Sequence, residues 1–254
     1  QLEGLIAEGR VKVNGKVAKL GDRATAEDRI EINGRPVGNR RLGGTQRYVI
    51  IYNKPEGELV TRKDPQGRKT VFERLPRLPT GRWIAVGRLD INSAGLLLLT
   101  NDGELANRLM HPRAAIEREY AVRVKGEVTD QMVRQLVTGI ELEDGPARFE
   151  DVVQSGGEGS NQWFHLVIME GRKREVRRLW EAVGVTVSRL KRVRYGPIIL
   201  DSRVKAGQWR ELDKDEKAAL LQVAGVRDRR PWGSLDDKVR PNKPVSPWKQ
   251  HSRR

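Results

Sequence analysis

The sequence predicts an α+β fold built around a mixed sheet, and three features of its pattern support this. Segments with strand character outnumber those with helical character along the 254 residues. The helical segments occur at irregular intervals and do not follow every strand, which argues against a doubly wound parallel sheet. Residues 95–100 form a nearly continuous apolar run, which is typical of a strand covered on both faces.

Residues 1–40 are predicted to form a small separate unit. A short helix with apolar residues at helical spacing is expected to stop at Gly9. Asn14-Gly15 predicts a hairpin turn between two short strands, and a second alternating strand covers 29–32. The polar, glycine-containing residues 41–47 are predicted to be a flexible linker.

A larger unit is predicted from residue 48 to residue 226, and strands dominate it. The predicted strands cover 48–52, 83–86, 95–100, 119–124, 164–169 and 187–193. The predicted helices cover 71–75, the segment between Asp102 and Pro112, 129–138 and 174–183. Asn101 or Asp102 can cap the second of these helices, and Pro112 closes it.

The last segment, residues 227–254, is predicted to be a disordered basic tail. It holds nine Lys or Arg residues against three Asp residues and shows no apolar periodicity. At the other end, Gln1 is not a usual first residue, so we expect the N-terminal unit to be incomplete.

The charge of the chain restricts its function. The formal net charge is +15 and the sequence pI is about 10.4, so the chain should be attracted to polyanions through phosphate contacts. A membrane partner is disfavoured because no apolar run approaches the roughly 20 residues that a spanning helix needs. The absence of cysteine excludes disulfides, thiolate catalysis and Cys-ligated zinc. We therefore expect a cytoplasmic protein that binds RNA or DNA.

The first candidate site is Gly87-Arg88-Leu89-Asp90, which links a predicted strand to a turn of small residues. Ligands commonly meet a sheet at such a place. A single Asp in that position is also a common turn former or helix cap. The residue pattern alone leaves both interpretations open.

The second candidate site is the cationic segment 170–178, Glu-Gly-Arg-Lys-Arg-Glu-Val-Arg-Arg. Its arginines share one face of the predicted helix, and helix N-terminal amides together with guanidinium groups bind anions. A solvated basic face is the alternative. The charge density, which continues through 189–194, favours polyphosphate binding. A third residue, Tyr120, lies in a predicted strand, where packing is the ordinary role.

The sequence lacks the residues that several other kinds of catalytic site require. His111 and His165 are too few and too isolated for a histidine-rich metal centre. No Gly-x-Ser-x-Gly turn supports a Ser-His-Asp triad. No phosphate-binding loop with the Gly-Lys-[Ser/Thr] ending is present, so nucleotide hydrolysis is disfavoured.

Taken together, these segments resemble the bacterial ribosomal pseudouridine synthases related to the small-subunit enzyme. The resemblance covers roughly residues 48–226. It implies the pseudouridine synthase fold, with a mixed, mainly antiparallel central sheet and flanking helices. Residues 1–40 resemble an alpha-L RNA-binding module shared with a ribosomal protein. The segments that carry the catalytic resemblance are 52–55, 87–90 with 93–103, 119–120 and 170–178.

The resemblance implies that the chain converts a uridine of ribosomal RNA to pseudouridine without a cofactor. Asp90 matches the nucleophile, which could attack the ribose or the base, or remove a ribose proton. Arg177, with Arg174 as the other candidate, would keep that carboxylate ionised. Tyr120 would stack on the target base, and Arg88 would fill the stack once the base is flipped out.

The resemblance also implies an RNA-binding set and a substrate class. The residues expected to bind RNA are Arg88, Arg172, Lys173, Arg174 and Arg178, joined in the N-terminal module by Arg10, Lys12 and Lys16. Segments 64–68, 83–86 and 156–159 most resemble family members that act on large-subunit ribosomal RNA. No metal, small-molecule cofactor or membrane partner is expected.

Two alternatives to the enzyme remain. A non-catalytic RNA-binding factor for ribosome assembly on the same scaffold would differ only at Asp90, Tyr120 and Arg177. A DNA-binding protein is less favoured because no recognition-helix unit stands out.

Overall fold

The computed structural model describes residues 2–22, 24, 28–36, 46–159, 161–228 and 230–235. The chain forms two compact units, of which the first ends at Arg47 and also includes 228–233, while the second begins at Tyr48. Most of the predicted linker 41–47, and the predicted tail beyond residue 235, lie outside the described residues.

The first unit contains a short helix and a small antiparallel sheet. Helix α1 is Leu2–Ala7, and the sheet has the order β2-β1-β3-β4. Its strands are β1 Val11–Val13, β2 Lys16–Val17, β3 Ile30–Ile32 and β4 Arg35–Pro36. Asn14 and Gly15 have φ angles of 53° and 82°, the left-handed pair that a tight two-residue hairpin requires. The helix and the first hairpin predicted for this unit are confirmed.

The second unit is built on a nine-stranded sheet in which the path β11-β12-β8-β13-β7-β5-β15 is extended by β14 beside β13 and β6 beside β7. A separate hairpin pairs β9 with β10. The strands are β5 Val49–Lys54, β6 Ile84–Ala85, β7 Ala94–Thr100, β8 Arg118–Lys125, β9 Ile140–Leu142, β10 Gly145–Ala147, β11 Asp151–Glu158, β12 Asn161–Ile168, β13 Thr186–Tyr195, β14 Ile198–Ile199 and β15 Trp209–Glu211.

The sheet is mixed, as predicted, although parallel pairing is confined to one place. Among the paired strands of the described residues, β7 and β13 run parallel, and every other pair is antiparallel. The parallel contact joins two half-sheets, one of β5, β6, β7 and β15 and the other of β8 and β11–β14. The α+β class is therefore confirmed.

Among the described residues, four helices flank this sheet: α2 Gly103–Met110, α3 Asp130–Thr138, α4 Glu175–Ala182 and α5 Lys214–Ala224, with 3-10 turns at Val71–Arg74 and Pro112–Ala114. Trp180 of α4 is fully buried and packs on the ring of Phe164 at a centroid distance of 5.1 Å. Leu97 and Leu99 of β7 join the same core. Helix α2 contacts β7 and packs against α5.

Most predicted elements are present, with shifted ends. The strand predicted over 83–86 is limited to Ile84–Ala85, and the helix predicted over 71–75 is a 3-10 turn. The β9–β10 hairpin, β11, β15 and α5 were not predicted. No helix among the described residues is long and apolar enough to cross a membrane.

The start predicted for the disordered tail, residue 227, is too early. The guanidinium of Arg47 lies 5.2 Å from the ring centroid of Trp232 and forms an ion pair with Asp228 at 3.3 Å. Leu235 is buried in the core of the second unit. The sequence missed this because the segment is polar and lacks any periodic pattern.

Candidate active site

The loop between β6 and β7 carries the first predicted motif. Gly87 has a φ of 75°, a turn conformation that a side chain disfavours. Leu89 is buried in the core and anchors the loop, whereas Arg88 is exposed and Asp90 is half-buried. The Ser93 amide donates to the Asp90 carbonyl oxygen at 3.0 Å, which closes the turn before β7. The alternation of buried and open positions therefore presents Arg88 and Asp90 outward.

Lys54 fixes the backbone of this loop. The side chain lies at the end of β5 and is fully buried, and its Nζ donates to the carbonyl oxygens of Asp90 at 3.1 Å, Ser93 at 2.7 Å and Pro55 at 3.0 Å. These bonds use all three donors of the ammonium group. Burial lowers the pKa of Lys54 to about 8, against the opposing field of Glu58, Glu56 and Asp90.

Lys54 was not among the predicted site residues. The segment 52–55 was noticed only as part of a family resemblance. The available signal was a lysine two residues after the apolar run of a strand and directly ahead of a proline.

The Asp90 loop leads directly into the junction of the two half-sheets. Ala94 and Gly95 of β7 pair with Lys191 and Arg192 of β13. A Cβ on Gly95 would stand 2.2 Å from the Arg192 carbonyl oxygen, so only glycine allows this approach. On the other side of β13, Arg192 pairs with Tyr120 of β8. Two strand spacings, roughly 10 Å, therefore separate the backbones of Gly95 and Tyr120.

Tyr120 is 8% exposed and belongs to the main core. It lies between Leu166 of β12 and Arg192 of β13 in the register of the sheet. Its hydroxyl makes no hydrogen bond with a described residue. The structure thus brings Tyr120 to the same junction as Asp90, with the ring as part of the packed sheet.

Arg177 joins α4 to the Asp90 loop through backbone oxygens. Its Nη2 donates to the Asn92 carbonyl at 2.8 Å and its Nη1 to the Val187 carbonyl at 2.9 Å. The side chain is 7% exposed. Burial lowers the pKa of Arg177, the charge of Arg174 adds to this, and the charge of Asp90 opposes it.

The direct Asp90–Arg177 ion pair implied by the resemblance is not formed within the part of the chain that the structure describes. No hydrogen bond or ion pair links the Asp90 carboxylate to another described residue. Arg177 is instead held two residues further along the same loop, at Asn92, because its guanidinium bridges that loop to β13. The two charges influence each other through space.

Two of the predicted RNA-binding arginines have partners within the protein. Arg178 donates to both carboxylate oxygens of Asp144, at 2.7 and 2.9 Å, and Arg172 contacts Asp144 at 3.2 Å and Glu175 at 3.1 Å. The Arg178 guanidinium is the main cause that lowers the pKa of Asp144. Asp144 lies in the turn of the β9–β10 hairpin, so these arginines fasten that hairpin to α4.

The other predicted RNA-binding residues differ in whether they are paired with another side chain of the protein. Lys173 is exposed and forms no ion pair with a described residue, whereas Arg174 contacts Glu181 at 3.6 Å. In the first unit, Arg10 donates to Asn33 and pairs with Glu8. Lys12 and Lys16 are exposed, but the register pairs Lys12 with Val17 and Lys16 with Val13, which places the two lysines on opposite faces of the hairpin.

Asp90 lies outside two hollows of the described surface and outside any metal-binding group among the described positions. Two hollows on the described surface are lined by residues within 62–73 and 201–213, and neither includes Asp90. No group of three His, Asp or Glu residues among the described positions could hold a metal ion. His165 contacts Glu119 at 2.8 Å, and the Nδ1 of His111 accepts from the Arg113 amide. The site lies at the junction of β7 and β13, in the interior of the sheet.

Comparisons with known proteins agree with this architecture. Residues 48–182 match the family described as RNA pseudouridylate synthase, and residues 1–30 match the S4 domain. The chain is similar to a solved structure described as a pseudouridylate synthase, with 27% identity and a TM-score of 0.62 over 86% of this chain and 91% of that one. The predicted fold and its N-terminal module are confirmed.

Curated relatives that carry the name ribosomal large subunit pseudouridine synthase B include proteins from Pseudomonas aeruginosa and Escherichia coli. The protein from Pseudomonas aeruginosa is 58% identical over 227 residues, which cover 89% of this chain and 59% of that protein. The protein from Escherichia coli is 59% identical over 225 residues, which cover 88% of this chain and 77% of that protein. The match to the family model and these identities establish that the chain belongs to the RNA pseudouridylate synthase family.

Proposed function

We propose that this chain converts a uridine of large-subunit ribosomal RNA to pseudouridine, with Asp90 as the nucleophile. The observation that carries the proposal is the state of the Asp90 carboxylate. It is half-buried and has no hydrogen-bond partner among the described residues, while Lys54 and Ser93 fix its backbone. A carboxylate that is positioned but unpaired is available to a substrate.

The reaction needs only groups of this kind. The bond from ribose C1′ to N1 of uracil breaks, the base turns, and C1′ bonds to C5. The proton on C5 leaves and N1 gains one, so the atoms balance without a cofactor. Asp90 can attack the ribose or the base, or remove a ribose proton. Each of these routes requires an ionised carboxylate and returns it unchanged.

Arg177 and Tyr120 support this role in different ways. The buried guanidinium of Arg177 donates to the Asn92 carbonyl oxygen and so holds the loop that carries Asp90 in place. Tyr120 supplies an aromatic wall one strand beyond Arg192, where the target base can stack. Because Arg177 has no direct contact with the carboxylate, the substrate can reach Asp90 without first displacing an ion pair.

The exposure of Arg88 beside Asp90 favours a flipped nucleotide within a large RNA. Extrusion of a base costs about a few kcal/mol, and the exposed guanidinium of Arg88, two residues before Asp90, can fill the gap that is left. Lys173 and the S4 domain offer further contacts to phosphate and RNA shape. The names of relatives at 58% and 59% identity support the large-subunit RNA as substrate. The cytoplasm, where ribosomes are assembled, is the compartment that we propose.

The test compares Asp90→Asn with Asp215→Asn, which removes the same charge from an exposed position of α5. Each purified chain is incubated with transcribed large-subunit ribosomal RNA, and pseudouridine is mapped by position. Asp90→Asn should bind the RNA like the wild type and form no pseudouridine, whereas Asp215→Asn should be active. Turnover by Asp90→Asn within about tenfold of wild type would refute the nucleophile. A wild-type chain that binds the RNA and never modifies it would indicate the assembly factor instead.

A further inference from the structure

The second half-sheet has a face that the catalytic junction does not use. Along β8, Tyr120, Val122 and Val124 point into the core, so Arg123 and Lys125 point to the opposite side. Helix α4 covers the core side, where Trp180 packs on Phe164. We call the other side the cationic face; its members include Glu119, Arg123, Lys125, Trp163, His165, Ser188, Arg189 and Lys191.

The register aligns an aromatic ring with cations across this face. Trp163 of β12 pairs with Arg123 of β8, which pairs in turn with Arg189 of β13. The Arg123 guanidinium lies 6.0 Å from the Trp163 ring centroid, and its Nε donates to the Ser188 hydroxyl at 3.0 Å. This row spans three strands, or about 10 Å, which is wide enough for a nucleotide.

Within the part of the chain that the structure describes, no carboxylate neutralises the four strongly basic side chains of the cationic face. Arg123, Lys125, Arg189 and Lys191 form no ion pair with a described residue. At the end of the same face, by contrast, Glu119 pairs with both His165 at 2.8 Å and Arg194 at 3.0 Å. The Glu119 carboxylate is thus paired with its immediate neighbours. The other cations of the face therefore create a positive potential next to the indole ring of Trp163.

We propose that the cationic face is a second RNA-binding surface, on which an unpaired base stacks on Trp163 while Lys125 and Arg189 contact the adjoining phosphates. Unpaired cations beside an aromatic ring on a sheet match the chemistry of single-stranded RNA, whose bases stack and whose phosphates attract cations. Because the face is opposite Tyr120, the strand of RNA bound there is not the one at Asp90. The identity of the ligand rests on the proposed function.

The experiment measures binding of transcribed large-subunit ribosomal RNA at several salt concentrations, with Asp90→Asn in every chain so that turnover plays no part. One variant adds Lys125→Gln and Arg189→Gln, and a second adds Trp163→Leu. The matched control adds Arg134→Gln and Lys214→Gln, which remove the same charge from exposed helical positions.

The double variant should weaken binding of the long RNA and lower its salt slope by about 1.5, the effect of two lost phosphate contacts. Trp163→Leu should weaken binding about fivefold or more with little change in slope. The control should bind the long RNA within about twofold of the parent chain.

Equal weakening by the control would show that only total charge matters and would overturn the proposal. Unchanged binding of the long RNA by both face variants would also overturn it, and would leave a protein as the occupant. Failure of wild-type turnover on this RNA would count against the proposed function alone, because binding is measured separately.

Discussion

Replacing Lys54 with methionine should loosen the loop that holds Asp90. Methionine has a similar length and keeps the apolar packing of the buried stem, but it cannot donate to the carbonyl oxygens of Asp90, Ser93 and Pro55. Those oxygens would lose a charged donor in a site where the side chain is fully buried. The variant therefore isolates the hydrogen bonds from the packing.

The expected loss of unfolding free energy depends on how many hydrogen bonds Lys54→Met removes and on which of the carbonyl oxygens keep another donor. A hydrogen bond to a charged group contributes about 1.5–3 kcal/mol, and bonds that share one group are not additive. The Asp90 carbonyl retains the bond from the Ser93 amide. The buried ammonium itself is costly, as its lowered pKa shows, so its removal recovers part of the loss. We expect a net fall in the free energy of unfolding of about 3 kcal/mol.

Urea denaturation at pH 7 measures this change, with Lys69→Met as the control at an exposed position. Single-turnover rates should fall about tenfold or more in Lys54→Met, because the carboxylate is no longer held at one place. Stability and rate both equal to those of Lys69→Met would refute the claim that Lys54 positions the loop. A stability loss with an unchanged rate would make Lys54 a residue of the fold alone.

Three further predictions concern the same junction. Gly95→Ala should lower the free energy of unfolding by about 3 kcal/mol or more, because the alanine Cβ would lie 2.2 Å from the Arg192 carbonyl oxygen and the residue has a φ of 102°. If urea denaturation shows a loss below about 1 kcal/mol, β7 and β13 can separate freely. Arg177→Met should slow single-turnover catalysis about tenfold or more and leave the Kd for RNA nearly unchanged, whereas equal losses would assign Arg177 to phosphate binding. The pKa of Lys54 is about 8 in the folded chain and 10.5 for an unperturbed lysine, so the unfolded chain binds more protons between these values. The free energy of unfolding should therefore rise by up to about 3 kcal/mol from about pH 8 to about pH 10.5 relative to Lys54→Met. If the unfolding free energies of the wild type and Lys54→Met change with pH in the same way, titration of Lys54 is not the cause.

Sequence reasoning was most effective where local pattern determines structure. Asn14-Gly15 predicted a hairpin because few residues adopt the paired left-handed conformation, and the structure has φ angles of 53° and 82° there. The apolar run before Thr100 predicted a doubly covered strand, which is the centre of the sheet. These predictions depend on a few neighbouring residues.

Long-range contacts at the site could not be predicted in this way. Arg177 and Asn92 are 85 residues apart, and nothing in either segment indicates that a guanidinium donates to that carbonyl. Arg172 and Arg178 were interpreted as free cations because the β9–β10 hairpin that carries Asp144 was not predicted. Asp90 itself emerged from the residues only as an ambiguous turn acid, and the family resemblance singled it out.

The central claim is that this chain forms pseudouridine in large-subunit ribosomal RNA through Asp90. Its most direct test maps pseudouridine at every position of ribosomal RNA from cells that lack the protein, and from the same cells supplied with the wild-type or the Asp90→Asn chain. We expect a large-subunit position to lose its pseudouridine, to regain it with the wild type, and to remain uridine with Asp90→Asn. Restoration by Asp90→Asn, or an unchanged map in the cells that lack the protein, would contradict the claim.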